Sequence, residues 1–421
     1  MPAPTPRLGG RALQDEVATV SNPRLLFAHD HRFLTGPSGS LYTQGSFPSA
    51  IWHRYLQHFD TVEVFARDQG SIKNQQLARS DHEGVKFTLV GPMSFAERLG
   101  LVTGKADYLL AQAIHNSDAV ISRLPSDLGL LAARHARQQG KPLLIEAVGC
   151  AFDGYGNQGS LASRLYAPVA MWRMRQAIKS APFVLYVTRK WLQRRYPASP
   201  TAVTTDASNV ALEPLSSSVA EQREMRLKEL DTGRAPVFGT VASLRTRSKG
   251  IQTALAAIAK LRRERRVDVQ YRVLGPGDIA PWQHEADALG IGDLVRFEGA
   301  RPAGRPVLEW LDTIDVHLQP SYQEGLPRGT IEAMSRGCAC VGSTAGGIPE
   351  IIPADRVHAP GDVGALADLL EALLNDPQMI ADASREDRTT AGNYEAGFLE
   401  KRRSALFGKF AQAAAAVRKG R

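Results

Sequence analysis

The chain has 421 residues, 43% of them hydrophobic and 22% charged, with a formal net charge of +8. That length predicts two domains rather than one core. No apolar run is long enough to span a bilayer, and three cysteines (Cys150, Cys338, Cys340) form neither a disulfide framework nor a zinc spacing, which suits a reducing cytoplasm. The polar, proline-rich start, residues 1–7, lacks the apolar core of a signal peptide. Excess positive charge favours anionic partners, yet zinc-finger spacing, an RNA-binding aromatic motif and basic heptads are all missing, which argues against nucleic acid.

In chain order, residues 24–28 are a compact apolar run and a first strand, with His29, Asp30 and His31 following at its end. A turn-rich loop, 36–40, contains Gly39; its spacing is not that of a dinucleotide-binding glycine loop. A helix over 48–59 precedes strands at 61–66 and 85–90. A helix over 105–116 leads to a strand at 119–121, with Arg123 just beyond it. A helix over 128–139 ends at Gly140, and strands follow at 142–148 and 183–188. Strands alternating with helices predict parallel βαβ units. From Arg164 to Arg195 there are eight basic residues and no acidic one, interleaved with Tyr166, Trp172 and Trp191. That composition suits a surface lying on anionic lipid, and equally a solvated helix face beside a phosphate-binding cleft.

The first half ends near Leu212, and 213–236, with Pro214, a serine run and a charged helix over 219–230, is the expected boundary. The domains are therefore read as 1–213 and 214–392, with a closing helical segment at 393–421. The βα pattern restarts with a strand at 237–241, a basic loop at 245–250 and an amphipathic helix over 251–265. A strand at 268–274 ends in Gly275-Pro276-Gly277. Helices over 282–289 and 305–311 flank a strand at 295–297, and further helices are expected at 363–374 and 395–417.

The chemistry gathers between Ser321 and Glu350, read as loop, helix, strand and second glycine loop. Glu324 and Glu332 stand eight positions apart. Glu324 is expected on the loop after a buried strand, and Pro327 in the first turn of the next helix. In open α/β sheets this edge binds ligands, and a helix start offers N–H groups and a positive dipole end to a diphosphate. Glu332 can accept from vicinal ribose hydroxyls, and Glu324 from sugar hydroxyls while the Gly325 and Leu326 N–H groups face a phosphate. The plainer reading is a first-turn charge and a loop residue.

Glu324-Gly325-Leu326-Pro327-Arg328, Glu332-Ala333-Met334 and Gly346-Gly347-Ile348-Pro349-Glu350 resemble glycosyltransferase family 4, the glycosyl transferases group 1, of the GT-B superfamily. The resemblance extends through Lys249-Gly250, Gly275-Pro276-Gly277, residues 295–299 and 315–321. Residues 145–149 and 186–197 look like bacterial polysaccharide-assembly members. It implies a GT-B fold, two doubly wound Rossmann-like α/β domains facing across a cleft, with the last helix crossing back to the first domain. The first domain would bind acceptor and the second donor. The implied reaction moves a hexose, with retention and without metal or cofactor, from a UDP- or GDP-sugar to a lipid-linked or polysaccharide acceptor. The protein would be cytoplasmic, possessing at most a peripheral contact with anionic membrane. By family position Lys249 touches the diphosphate, Glu324 the donor sugar and Glu332 the ribose. Arg328 and the helix start add positive charge, and residues 275–277 and 295–299, including Gly275 and Phe297, lie by the base. Gly39 would bring backbone near the donor phosphates.

The chain departs from the family twice. The positions five and six before Lys249, where relatives carry arginine, are Leu244 and Ser243, so Arg247 or Arg245 is the expected substitute. Relatives carry a histidine where Arg123 stands, so Arg123 is expected at the donor or an acceptor phosphate, with a salt bridge at the cleft rim as the alternative. A GT-B-fold nucleotide-sugar epimerase and a non-catalytic nucleotide-sugar-binding subunit are the rival functions.

Overall fold

The structure is a computed structural model that describes residues 22–419 apart from 45, 73–76, 100, 158–159, 211 and 215. The described residues form two sheets. The first contains β1 (Arg24–Thr35), β2 (Leu41–Thr43), β3 (Thr61–Ser71), β4 (Ala78–Arg79), β5 (Val85–Val90), β6 (Ala119–Leu124), β7 (Leu143–Ala147), β8 (Phe183–Tyr186) and β9 (Val203–Asp206). Its parallel body runs β5-β3-β1-β6-β7-β8-β9, while β2 and β4 pair antiparallel at the far end of β1. The second contains β10 (Val237–Val241), β11 (Gln270–Leu274), β12 (Val295–Phe297), β13 (Val316–Gln319), β14 (Ala339–Ser343) and β15 (Val357–His358). Its order is β12-β11-β10-β13-β14-β15, all parallel. Both sheets reverse strand order beside their first strand, at β1/β6 and at β10/β13, and an open α/β sheet binds its ligands at that crevice. The middle strands are buried because helices cover both faces; β6, β7, β13 and β14 are buried along their whole length, the few polar side chains on them included.

Several elements differ from expectation. β1 continues to Thr35, and its pairing with β3 shifts register between Ala28 and Arg32. His29, Asp30 and His31 therefore lie on an irregular stretch inside the strand, and Phe33 and Leu34 return to the core. Helix Pro377–Gly392 was not expected, because Asn375-Asp376-Pro377 looks like a stop. Pro377 instead opens the helix while the Asp376 carboxylate accepts the Gln378 N–H at 3.0 Å. Helix Ile251–Lys260 ends sooner than its apolar pattern, passing into a π-turn over Leu261–Arg265 that closes at Arg266 with φ 53°.

The polar helix Ser217–Asp231 packs on the second sheet through arginines. Arg223 donates to the carbonyls of Leu311, Ile314 and Arg336, at 3.1, 2.7 and 2.8 Å. Arg226 and Arg234 both hold the fully buried Asp315 at 2.9 Å. The last helix, Ala396–Lys419, lies on the first sheet. Phe407 stacks on Tyr55 with centroids 5.3 Å apart, Phe410 packs on Phe59 and Phe183, and Arg403 donates to the Ser208 carbonyl at 2.8 Å. The chain crosses where Leu212 bridges Glu395. Among the described residues no helix is long and apolar enough to cross a membrane.

Candidate functional site

At the β10/β13 switch point, the loop after β10 and the loop after β13 come together. Gly250, with φ 74°, lies so close to the second loop that a Cβ would sit 1.8 Å from the Pro320 carbonyl oxygen. That approach brings the Lys249 ammonium 2.7 Å from Glu324 Oε1. The same oxygen accepts from Gln319 Nε2 and Ser321 Oγ, both at 2.9 Å. Gln319 Oε1 accepts in turn from Thr330 Oγ1 at 3.1 Å. Glu324 is thus a buried carboxylate held from three sides, while Lys249 remains partly exposed on the open side. Gly346 lies against the same loop: its φ is 59°, and a Cβ there would meet the Glu324 carbonyl oxygen at 2.1 Å.

The helix after Glu324 runs Arg328–Ser335, with Pro327 one position earlier than expected. Pro327 takes extended geometry as the N-cap, and Arg328, not Pro327, begins the helix. Arg328 is exposed. Glu332 is half-buried one turn on, and among the described residues its carboxylate accepts no hydrogen bond. Burial raises its pKa, and the Arg328 charge opposes that shift. Gly325 packs against the first domain, where a Cβ would lie 2.5 Å from the Val148 carbonyl oxygen, and its own carbonyl accepts the Gly347 N–H at 2.7 Å. Leu326 is buried in the core that joins both sheets.

Of the other expected residues, Arg247 is the one that faces away. Arg247 is turned from the Lys249–Glu324 pair: its guanidinium makes two 2.9 Å bonds to Glu285 and lies 5.1 Å over the Trp282 ring. Helix Ala280–Ala288 presents both partners, which explains the departure. Arg245 instead reaches across the cleft, 3.3 Å from Gln44 Oε1. Arg123 is buried and ion-paired to Glu146 at 2.5 Å, while Tyr55 donates to the other Glu146 oxygen at 2.9 Å. Its guanidinium also lies 5.2 Å over Phe47. Gly39, at φ 80°, turns the chain between β1 and β2, with nothing within 4 Å of a Cβ. Gly275 presses on the Ala242 carbonyl oxygen, 1.8 Å from a Cβ. Phe297 ends β12 in register with Val273.

Residue-by-residue reading missed the buried network His317, Gln319, Ser321 and Thr330. An alternation was its signal: polar side chains at 317 and 319 on a strand with no solvent face, continued at 321 just past its end. It also missed the task of Glu350. That carboxylate accepts the backbone N–H groups of Arg189 at 2.7 Å, Lys190 at 3.0 Å and Trp191, tying the second glycine loop to the first domain.

His317 is fully buried, and desolvation lowers its pKa from 6.5 to about 4. The unfolded chain therefore takes up this proton first. Stability present above pH 6.5 should be lost as pH falls toward 4, on the order of 1 kcal/mol per unit. Thermal midpoints measured across that window should fall, and His317→Leu should flatten the slope.

The first domain holds a concavity of about 700 Å³ at the ends of β1, β3 and β5. Asp30 there accepts from Arg67 at 2.7 Å, and Arg98 pairs with Asp127 at 2.6 Å. Arg32, Asp68 and Tyr155 complete the lining. Such a wall of carboxylates, guanidiniums and a phenol suits a polyhydroxylated ligand. Among the described residues, no group of three or more His, Cys, Asp or Glu is placed to hold a metal ion.

Comparison with known proteins agrees with this geometry. The glycosyl transferases group 1 family matches residues 235–376, the stretch that carries Lys249, Glu324 and Glu332. Protein CapJ of Staphylococcus aureus is 27% identical over 371 residues, covering 88% of this chain and 91% of CapJ. The amylovoran biosynthesis glycosyltransferase AmsK of Erwinia amylovora is 27% identical over 197 residues, 44% of this chain and 46% of AmsK. Among solved structures, sucrose-phosphate synthase of Thermosynechococcus elongatus superposes with a TM-score of 0.64 at 16% identity, over 93% of this chain and 100% of that one. Anabaena HepE in complex with UDP-glucose gives 0.60 at 15% identity, over 94% and 100%. At such identities the structural likeness speaks for fold. With both sheets in doubly wound order, the chain has the GT-B fold, and its residues 235–376 match the glycosyl transferases group 1 family.

Proposed function

We propose that this glycosyltransferase moves a hexose from a UDP- or GDP-sugar to a saccharide acceptor, free or lipid-linked, in the synthesis of a bacterial surface polysaccharide. The observation that carries the reading is the Lys249–Glu324 pair beside the unpartnered Glu332 carboxylate and the exposed Arg328. A leaving diphosphate brings concentrated negative charge. Lys249, Arg328 and the free N–H groups at the start of helix Arg328–Ser335 supply positive potential where that charge develops, so the reaction needs no divalent cation. Glu332 accepts from the ribose hydroxyls. Glu324, fixed by Gln319, Ser321 and Lys249, orients the sugar. No side chain need attack the anomeric carbon if the departing phosphate assists the incoming hydroxyl on the same face, and that course retains configuration.

The polar hollow beside Asp30 and Arg98 supports an acceptor site in the first domain. The name of AmsK supports the polysaccharide setting, and HepE, solved with UDP-glucose, supports a uridine donor.

Glu332→Ala tests the ribose role. Hydrogen bonds to a charged group contribute about 1.5–3 kcal/mol, so donor KM should rise roughly ten- to hundredfold while kcat changes little. An unchanged KM for every nucleotide sugar would remove Glu332 from the donor site.

A further inference from the structure

We propose that the face built from helix Leu161–Ser180 and the neighbouring residues 95–99, 101 and 102 is a docking surface for an anionic bilayer. Leu161, Leu165, Val169 and Trp172 recur at spacings of four, four and three, one stripe of a helix. A helix on a soluble domain turns such a stripe inward. Here the inward stripe is a different one, Tyr166, Ala170, Met174, Ala177 and Ile178, and the first stripe is 43–72% exposed. The helix is therefore apolar on two sides, with one side in water.

Residues 95–99, 101 and 102 extend the patch. Phe95, Leu101 and Val102 are 52–73% exposed. The Phe95 ring meets Tyr166 at 5.8 Å, and Arg173 donates to the Arg98 carbonyl at 2.7 Å, so segment and helix are packed side by side. A contiguous apolar area of this kind marks an interaction site.

Charge selects the partner. Arg164, Arg175 and Lys179 are exposed along the same helix, and no carboxylate occurs between Asp153 and Asp206. Large apolar side chains flanked by basic ones match an interface where acyl chains lie beneath anionic headgroups. A second copy of the chain would set this positive surface against itself, a repulsive arrangement. The face also adjoins the polar hollow of the first domain: Arg98 and Tyr155 line that hollow, and Tyr155 meets Tyr166 at 4.8 Å. Resting on the transferase reading above, docking brings the hollow to an acceptor carried on lipid, although the docking itself requires only the surface.

The test is co-sedimentation of the full chain with vesicles of equimolar phosphatidylglycerol and phosphatidylcholine, beside vesicles of phosphatidylcholine alone. The chain should bind the anionic vesicles, bind phosphatidylcholine at least tenfold more weakly, and be released by salt. Leu165→Glu/Trp172→Glu should weaken partitioning at least tenfold with the thermal midpoint unchanged. Arg175→Gln/Lys179→Gln should weaken it roughly fivefold per charge removed. Turnover of nucleotide sugar in vesicle-free buffer should be the same for the wild type and both double variants. Absence of binding to anionic vesicles, equal binding by Leu165→Glu/Trp172→Glu, or a chain whose self-association that variant abolishes instead would overturn the proposal. Vesicle binding with the expected pattern in a protein that turns over no nucleotide sugar would leave the docking surface standing and remove the transferase reading.

Discussion

Lys249→Ala should lower kcat for sugar transfer about 100- to 1000-fold, the usual cost of removing one preorganised group at a developing charge. Two effects combine. In the proposed donor site the diphosphate would lose a cation, and Glu324 loses the partner 2.7 Å away while remaining buried against Gln319 and Ser321. A carboxylate without its counter-charge would also repel a diphosphate bound beside it. Stability should change little, within about 1 kcal/mol, because the Lys249 side chain is partly exposed and its ion pair is screened. Steady-state turnover together with a melting curve separates these consequences. A loss below tenfold would mean that Lys249 does not face the leaving group.

Gly250→Ala should be the most damaging small substitution at the site. The backbone at φ 74° is left-handed, which costs a residue bearing Cβ about 1 kcal/mol. The added methyl would also sit 1.8 Å from the Pro320 carbonyl oxygen, a backbone atom that cannot rotate away. Separating the two loops should cost about 2–4 kcal/mol in all and withdraw Lys249 from Glu324, so that stability and transfer fall together. Gly39→Ala is the matching control. Its φ is 80°, but nothing lies within 4 Å of a Cβ, so only the left-handed conformation is penalised. Denaturant titration of both variants measures the difference. Equal losses would show that the contact between the loops does not hold the pocket.

Much of this arrangement is legible in the chain itself. The alternation of apolar runs and amphipathic helices specifies doubly wound sheets, since strands buried on both faces leave no other pattern. Glu324 and Glu332 stand out because a loop carboxylate and a helix carboxylate flank a proline at a strand's end. What stayed hidden depended on distant residues. Whether Arg247 faces the cleft is decided by Glu285 and Trp282, more than thirty positions away, which hold it aside. Arg245, two positions earlier, faces Gln44 of the other domain. Glu350 reads as part of a motif, yet its partners are three backbone N–H groups around residue 190, which no side-chain pattern announces. Pro377 misled because proline both stops and starts helices, and the Asp376 cap decides which. The apolar stripe from Leu161 to Trp172 was hidden for a similar reason: a helical pattern tells which residues share a face but not which of two apolar faces turns outward.

The central claim is that Lys249, Glu324 and Glu332 line a nucleotide-sugar pocket. It is tested most directly by thermal stabilisation of the wild-type chain, Lys249→Ala and Glu332→Ala over a panel of UDP- and GDP-sugars. A ligand bound only to the folded state raises stability with the logarithm of its concentration over Kd. At least one nucleotide sugar should raise the wild-type midpoint in this manner, and both variants, folded as well as the wild type without ligand, should respond only at much higher concentration. A midpoint that no nucleotide sugar moves, or variants that respond like the wild type, would contradict it.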